Sequence, residues 1–268
     1  MSPELSILVI CIGVGSIVGL SAGLLGIGGG LIIVPALTYL LSHFLGISPF
    51  DAIIIAIATS LSTIILTGFS ASAAHYKLGN LDKHVIVFTG LGIAVGASIG
   101  GYVASAIPGQ YLKATFAVLV MAVAIYMIFG KKSASRFAAN RAILSLAGLK
   151  TGFISALMGI GGGAILVPVL VFFQVDIRKA IGCAALSGLI IAIFGTTSFI
   201  IAGWNVPDLP AYSFGYVYLP ATLGIVLSSV FTAPIGVKLG YSMDTQKLKR
   251  IFAVFMVLVS IRMLIGII

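Results

Sequence analysis

The most constraining feature of this chain is a series of long, nearly uninterrupted apolar stretches. Stretches such as 85–107 and 251–268 reach the roughly 18 residues that are typical of a membrane-spanning helix. Charged residues make up only 8% of the sequence, against about 25% in soluble domains. We therefore predict an all-α polytopic membrane protein, because a membrane β-barrel would show alternating segments of about ten residues instead.

A pentapeptide, Gly-Ile-Gly-Gly-Gly, occurs at 26–30 and again at 159–163. The correspondence continues downstream with small gaps, for example at Ala52 and Ala180. Repetition over such a length indicates that the chain is built from two structural repeats.

Each repeat contains five apolar segments, and an odd number of segments inverts the second repeat relative to the first. We predict a first inverted repeat at 1–130, a connector at 131–141 and a second inverted repeat at 142–268, an organisation typical of transporters. The helical segments are expected at 5–24, 30–42, 52–74, 85–106, 112–129, 142–158, 163–174, 180–202, 212–237 and 250–268.

The positive charges predict how the chain is oriented in the cell membrane. The connector carries Lys131, Lys132, Arg136 and Arg141 and should be cytoplasmic, because cytoplasmic loops are enriched in Lys and Arg. Counting outward from it places twelve Lys and Arg residues inside, only Lys113 outside, and both termini outside. Since these loops explain the net charge of +9, the bilayer is the expected partner and nucleic acid is not.

Both glycine runs interrupt helical segments that are short for a membrane span. The segment at 163–174 would be about 18 Å long, whereas the bilayer core is about 30 Å thick. We expect each run to be the apex of a broken helical hairpin at the membrane centre, where the next helix offers free N–H groups to an anion. The alternative is that the glycines only permit close helix packing. The candidate anion-binding glycines are Gly26, Gly28, Gly29, Gly30, Gly159, Gly161, Gly162 and Gly163.

Other residues that could face an anion lie within the predicted spans. Thr59-Ser60 and Ser187 occupy equivalent positions in the two repeats. Their hydroxyls can donate to an oxyanion, although they can equally bond a carbonyl of their own helix. Lys150, nine residues before Gly159, either extends to the cytoplasmic surface or faces the anion path.

The segment HYKLGNLD at 75–82 and the following Lys83 lie between two predicted spans, in a loop that carries Lys77 and Lys83. His75 and His84 are therefore expected to be solvated. The second repeat has Gly203-Trp204-Asn205 at the position of His75-Tyr76-Lys77, so any role of His75 need not be shared by both halves.

This segment and the two glycine runs, each followed by a proline at Pro35 or Pro168, resemble the TauE/SafE sulfite exporters. That family is also called the toluene-sulfonate uptake permease family, and the resemblance covers essentially the whole chain. It implies a transporter of small sulfur-containing anions, such as sulfite, a sulfonate, sulfoacetate or thiosulfate, without an ATPase domain.

The sequence shows no signature of an enzyme, a metal site or a cofactor. Two G-x-S-x-G matches, at 19–23 and 96–100, lack the strand–turn–helix setting and the partner histidine of a hydrolase. All six acidic residues lie in loops or at span ends, away from the positions of most coupling carboxylates. We therefore expect a secondary transporter that exports its anion by alternating access. A passive anion channel and cation-coupled uptake are the alternatives, and the sequence does not predict the number of subunits.

Overall fold

The structure is a computed structural model that describes residues 2–26, 28–129 and 140–242, together with residues 254, 257, 258, 260 and 261. Most of the predicted connector and of the segment predicted at 250–268 therefore lies outside the described residues. Within them the chain forms nine helices and one short β-hairpin. In chain order these are α1 (Pro3–Leu25), α2 (Gly30–Leu45), α3 (Pro49–Lys77), α4 (Lys83–Ala106), α5 (Gly109–Phe129), α6 (Arg141–Met158), α7 (Gly163–Phe172), α8 (Ile177–Gly203), β1 (Ser213–Phe214), β2 (Val217–Tyr218) and α9 (Leu219–Ser242).

Six of the described helices are long and apolar enough to cross a membrane, namely α1, α3, α4, α6, α8 and α9. The helices that follow the glycine runs are shorter, with 16 residues in α2 and 10 in α7. At about 1.5 Å per residue, α7 covers only about 15 Å. The chain is thus an all-α polytopic membrane protein, as the apolar stretches predicted.

Polar side chains define where five of the helices begin. Ser2, Ser48, Asp82, Asn140 and Asp176 each accept a hydrogen bond from a backbone N–H of the following first turn. These N-caps satisfy donors that would otherwise have no partner in the helix. By contrast, α2 and α7 begin after glycines and have no side-chain cap.

The segment predicted at 212–237 is misplaced. Residues 213–218 form the β-hairpin, in which Ser213 pairs with Tyr218 and Gly215 has a φ of 57°. Such tight hairpins use a residue of positive φ at the turn, and α9 begins only after it, extending to Ser242. The other segments within the described residues agree with their predictions to within three residues at each end.

The helices pack in pairs around α3, which is the most buried of the spans, with 72% of its apolar window inside the protein. α3 contacts α8, while α1 packs along α9 and α4 packs along α6. Glycines line both outer pairs, because a Cβ at Gly19 would collide with the Ser229 carbonyl and one at Gly96 with the Leu149 carbonyl. Small residues allow this close approach of helices. In the two predicted repeats, α1 corresponds to α6 and α9 to α4, so the pair of α1 and α9 corresponds to the pair of α6 and α4. That the two repeats are inverted stays a prediction.

The expectation that His75 is solvated is wrong. α3 continues to Lys77, so His75 lies inside the span and is only 5% exposed. His75 faces the neighbouring helices, whereas Tyr76 and Lys77 next to it are exposed. His84 lies in the first turn of α4 and is exposed, as expected.

Candidate anion-binding site

Both glycine runs break the chain between two helices, the first between α1 and α2 and the second between α6 and α7. The chain leaves each preceding helix in the same way. Gly26 has a φ of 66° and Gly159 a φ of 63°, the left-handed conformation that commonly ends a helix. The N-terminal end of the next helix begins a few residues later.

The two breaks lie against each other in the protein interior. A Cβ at Gly28 would lie 2.8 Å from the Cα of Gly161, and a Cβ at Gly30 would collide with the Gly159 carbonyl. All eight glycines of the predicted site are buried. The structure therefore brings the N-terminal ends of α2 and α7 to one place.

Backbone N–H groups at these two helix ends have no partner among the described residues, which do not include Ile27. Between residues that the structure describes, none of the N–H groups of residues 28–31 and 161–164 donates a hydrogen bond. The backbone hydrogen bonds of α7 begin only after these residues, where the N–H of Leu166 donates to the Gly162 carbonyl at 2.7 Å. Because buried N–H groups are almost always paired, two sets of unpaired donors at the positive ends of two helices indicate a place for an anion.

The three predicted hydroxyls have different roles. Ser60 donates from Oγ to the Gly159 carbonyl at 2.7 Å and so holds the second break against α3. The Oγ1 of Thr59 accepts a hydrogen bond from the Tyr218 N–H at 2.9 Å. The Ser187 hydroxyl is buried and has no partner among the described residues. Of the three, Ser187 is therefore the one whose hydroxyl neither donates nor accepts a hydrogen bond among the described residues.

Ser187 lies beside the second break, since a Cβ at Gly162 would be 3.5 Å from the Cβ of Ser187. Ser155, in the last turn of α6, is a second buried serine whose hydroxyl has no partner in the described part of the chain. Sequence reasoning missed it. Nothing in the sequence distinguishes Ser155 from a serine such as Ser21, whose hydroxyl donates to the Ile17 carbonyl of its own helix.

The two breaks differ in conformation although their sequences are identical. The N-cap residue of α2, Gly29, has a φ of 78°, whereas its equivalent before α7, Gly162, has a φ of −57°. A Cβ at Gly29 would collide with Val18, while a Cβ at Gly162 would lie 3.1 Å from the flexible Cδ1 of Ile191. Only the second of these positions could therefore accept a larger residue without backbone strain.

Lys150 lies apart from the buried residues at the two breaks. Lys150 lies within α6 and is exposed, whereas Thr151 and Gly152 beside it are buried. That Lys150 lines the anion path stays a prediction. Among the residues that the structure describes, no three His, Cys, Asp or Glu side chains are grouped so that they could hold a metal ion.

Comparison with known proteins identifies related chains. Residues 11–263 match the family described as "Sulfite exporter TauE/SafE". The chain is 36% identical to a probable membrane transporter protein of Haemophilus influenzae, over 96% of this chain and 97% of that protein. It is 28% identical to one of Methanocaldococcus jannaschii, over 88% and 87% of the two chains. A probable membrane transporter protein of Bacillus subtilis, YunE, is 24% identical over 96% and 97%. No solved structure matches the chain.

A multi-pass helical fold and relatives of this kind define a membrane transporter and not a member of an enzyme family. The chain belongs to the TauE/SafE sulfite exporter family. The resemblance drawn from the glycine runs and the HYKLGNLD segment is thereby confirmed.

Proposed function

We propose that this protein is a secondary transporter of small sulfur-containing anions, which bind where the two glycine breaks meet. The observation that carries this proposal is the set of buried, unpaired N–H groups at the ends of α2 and α7. The free hydroxyl of Ser187 adds another donor beside them. Oxyanions such as sulfite, sulfonates, sulfoacetate and thiosulfate present several acceptor oxygens to such a cluster. Donors without net charge bind an anion and still allow its release.

Contacts between the predicted repeats explain how the site could open to either side in turn. Gly28 of the first repeat lies against Gly161 of the second, and Ser60 is bonded to the Gly159 carbonyl across the same boundary. A change in the angle between 1–130 and 142–268 would therefore change the site itself. This is the behaviour required for alternating access around a fixed site.

The placement of acidic residues favours export. Glu4 and Asp51 lie in the first turns of α1 and α3, Asp82 and Asp176 are N-caps, and Asp208 lies in the loop after α8. No carboxylate of the described residues lies in the middle of a span, where coupling groups are usually found. An uncoupled anion follows the membrane potential, and an inside-negative potential expels it.

The proposed orientation follows from the Lys and Arg asymmetry of the loops. It places the connector at 131–141 in the cytoplasm and both termini outside the cell membrane. The ends of α3 and α4 that carry Lys77 and Lys83, and the start of α8 with Arg178 and Lys179, then face the cytoplasm.

Efflux of labelled sulfite from loaded proteoliposomes should accelerate when a potassium–valinomycin potential makes the interior negative. For a monovalent anion, 100 mV corresponds to about 2.3 kcal/mol, or about a fiftyfold concentration ratio at equilibrium. The assay is done in sodium-free buffer at equal pH, with protein-free liposomes and zero potential as controls. A transport rate that does not change with the potential, and transport that appears only with a sodium or proton gradient, would contradict uncoupled export and support cation-coupled uptake.

The same vesicles distinguish a carrier from a passive anion channel. A carrier that alternates between two sides exchanges labelled sulfite faster when unlabelled sulfite is present on the far side. A channel shows no such stimulation. We expect stimulation, and its absence would favour the channel.

A further inference from the structure

A small pocket lined by both polar and apolar residues lies next to the first glycine break, apart from the contact between the two runs. It is lined by His75 at the end of α3, Asn80 in the following loop, Arg178 in the first turn of α8 and Gly23 in α1. Its volume of about 70 Å³ is room for about five water molecules. A single small oxyanion fits in a space of this size.

The HYKLGNLD segment folds so that His75 and Asn80 face one pocket. The N–H of Asn80 donates to the His75 carbonyl at 3.1 Å, and the N–H of Gly79 donates to the Tyr76 carbonyl at 3.0 Å. With a φ of 69° at Gly79, this is the Schellman arrangement that ends a helix. Asp82 then caps α4. These bonds explain the backbone of the segment but not the imidazole of His75.

The imidazole of His75 is buried and short of hydrogen-bond partners among the described residues. The residue is 5% exposed, and neither Nδ1 nor Nε2 meets the distance and angle of a hydrogen bond to a described residue. The backbone of Gly23 lies beside the ring and can partner one nitrogen, which leaves the other for a ligand. Buried polar groups are normally paired, so the remaining nitrogen indicates a ligand with polar atoms.

Arg178 gives the pocket its positive charge. Its guanidinium lies 4.3 Å from the centroid of the Tyr241 ring, a cation–π contact that positions the group and leaves its charge in place. The carboxylate of Asp176 accepts from the backbone N–H groups of Arg178 and Lys179 as the N-cap of α8. A cation would be repelled from the guanidinium, and an apolar molecule would leave one nitrogen of His75 unpaired, so the pocket suits an anion with several acceptor oxygens.

We propose that this pocket is a second anion site, in which Arg178, His75 and Asn80 bind a sulfur oxyanion before it reaches the glycine breaks. This rests on the proposed function. The pocket adjoins the first break, because it is lined by Ile181 and a Cβ at Gly26 would lie 2.9 Å from the Ile181 carbonyl oxygen. An anion leaving the pocket therefore has a short way to the N–H groups at the break.

The described part of the second repeat has no counterpart of the His75 imidazole. It has Gly203-Trp204-Asn205 at the position of His75-Tyr76-Lys77, so a glycine stands where the first repeat has His75. The proposed orientation puts Arg178 and the end of α3 at the cytoplasmic side. For an exporter this is the side on which the anion is loaded.

The proposal is tested by replacing Arg178 and His75 and measuring sulfite uptake into inside-out membrane vesicles, which reports loading from the cytoplasmic side. Arg178→Gln and His75→Phe should raise the KM for sulfite about tenfold, because each removes one donor to a bound anion, and should leave the maximal rate within about twofold. His75→Gln, which keeps a polar group in the pocket, should recover part of the affinity. Lys179→Gln removes a neighbouring exposed charge that does not line the pocket and should leave the KM unchanged.

Counting bound sulfite by equilibrium dialysis separates this proposal from the proposed function. The wild-type protein should bind two sulfite ions at saturation. Arg178→Gln should bind one of the two about tenfold more weakly, whereas Gly162→Ala should bind only one ion. One ion in the wild type, or an unchanged KM and unchanged affinities for both ions in Arg178→Gln, would overturn the second site. If Gly162→Ala keeps two ions and full transport, the binding site at the glycine breaks is what fails. Because Arg178 is exposed, its replacement carries the test even if His75→Phe does not fold.

Discussion

Gly162→Ala should abolish sulfite transport and leave the protein folded. At a φ of −57° an alanine adopts this backbone without strain, and its nearest neighbours would be Ile191 Cδ1 at 3.1 Å and Ser187 Cβ at 3.5 Å. The methyl group would crowd the free Ser187 hydroxyl and the N–H groups of α7. Losing two hydrogen bonds to a charged ligand, at about 1.5–3 kcal/mol each, should slow labelled sulfite exchange in proteoliposomes about a hundredfold or more.

Gly90→Ala is the matched control for this variant. Gly90 is also buried, and its Cβ would meet Ile190 Cδ1 at 3.2 Å in a helix away from the breaks. It should keep wild-type exchange and a similar midpoint of thermal unfolding. Wild-type exchange in Gly162→Ala would refute the proposed site. Equal losses in both variants would show that crowding of the spans, and not a bound anion, is responsible.

Gly28→Ala should destabilise the fold by about 2–5 kcal/mol. Its φ of 75° costs a residue with a Cβ about 1–2 kcal/mol. The Cβ would also lie 2.8 Å from Gly161 Cα, a backbone atom that cannot rotate away, and overpacking of this kind costs about 1–3 kcal/mol. The sum is a large fraction of the about 5–15 kcal/mol by which proteins are stable. The yield of monodisperse protein in detergent and its thermal midpoint measure the loss.

Gly46→Ala separates the two causes of that loss. Gly46 has a similar φ of 66°, but nothing lies within 4 Å of the position of its Cβ. This variant should lose only the conformational part and remain purifiable. If Gly28→Ala is no less stable than Gly46→Ala, the close contact between the two breaks is wrong.

Apolar patterning predicted most of the helices because the bilayer requires long apolar helices with every backbone group paired internally. The doubled pentapeptide likewise predicted that α1 and α2, and α6 and α7, are separated by breaks. The structure places Gly28 of one break against Gly161 of the other, while the position of the breaks at the membrane centre stays a prediction. The role of this contact in binding an anion stays a proposal.

Other features depend on neighbours that no local pattern reveals. The polar residues around His75 predicted a solvated loop. Instead, helix α3 continues past His75 and ends in a Schellman turn at Gly79. The hairpin at 213–218 is rich in apolar residues and so was predicted to be the start of a span. Gly29 and Gly162 have the same neighbours within their glycine runs, yet Gly29, next to Val18, and Gly162, next to Ile191, have different φ angles.

The most direct test of the site is the response of its glycine amides to sulfite. In protein labelled with ¹⁵N-glycine, the amide signals of Gly161, Gly162 and Gly163 can be assigned by single substitutions and followed during a sulfite titration. If their N–H groups donate to the anion, these signals should shift downfield and saturate at the concentration that half-saturates transport. Gly13, with nothing within 4 Å of its Cβ position, serves as the internal control and should not shift. Saturable sulfite binding that leaves all three signals unmoved would contradict an anion site at the glycine breaks.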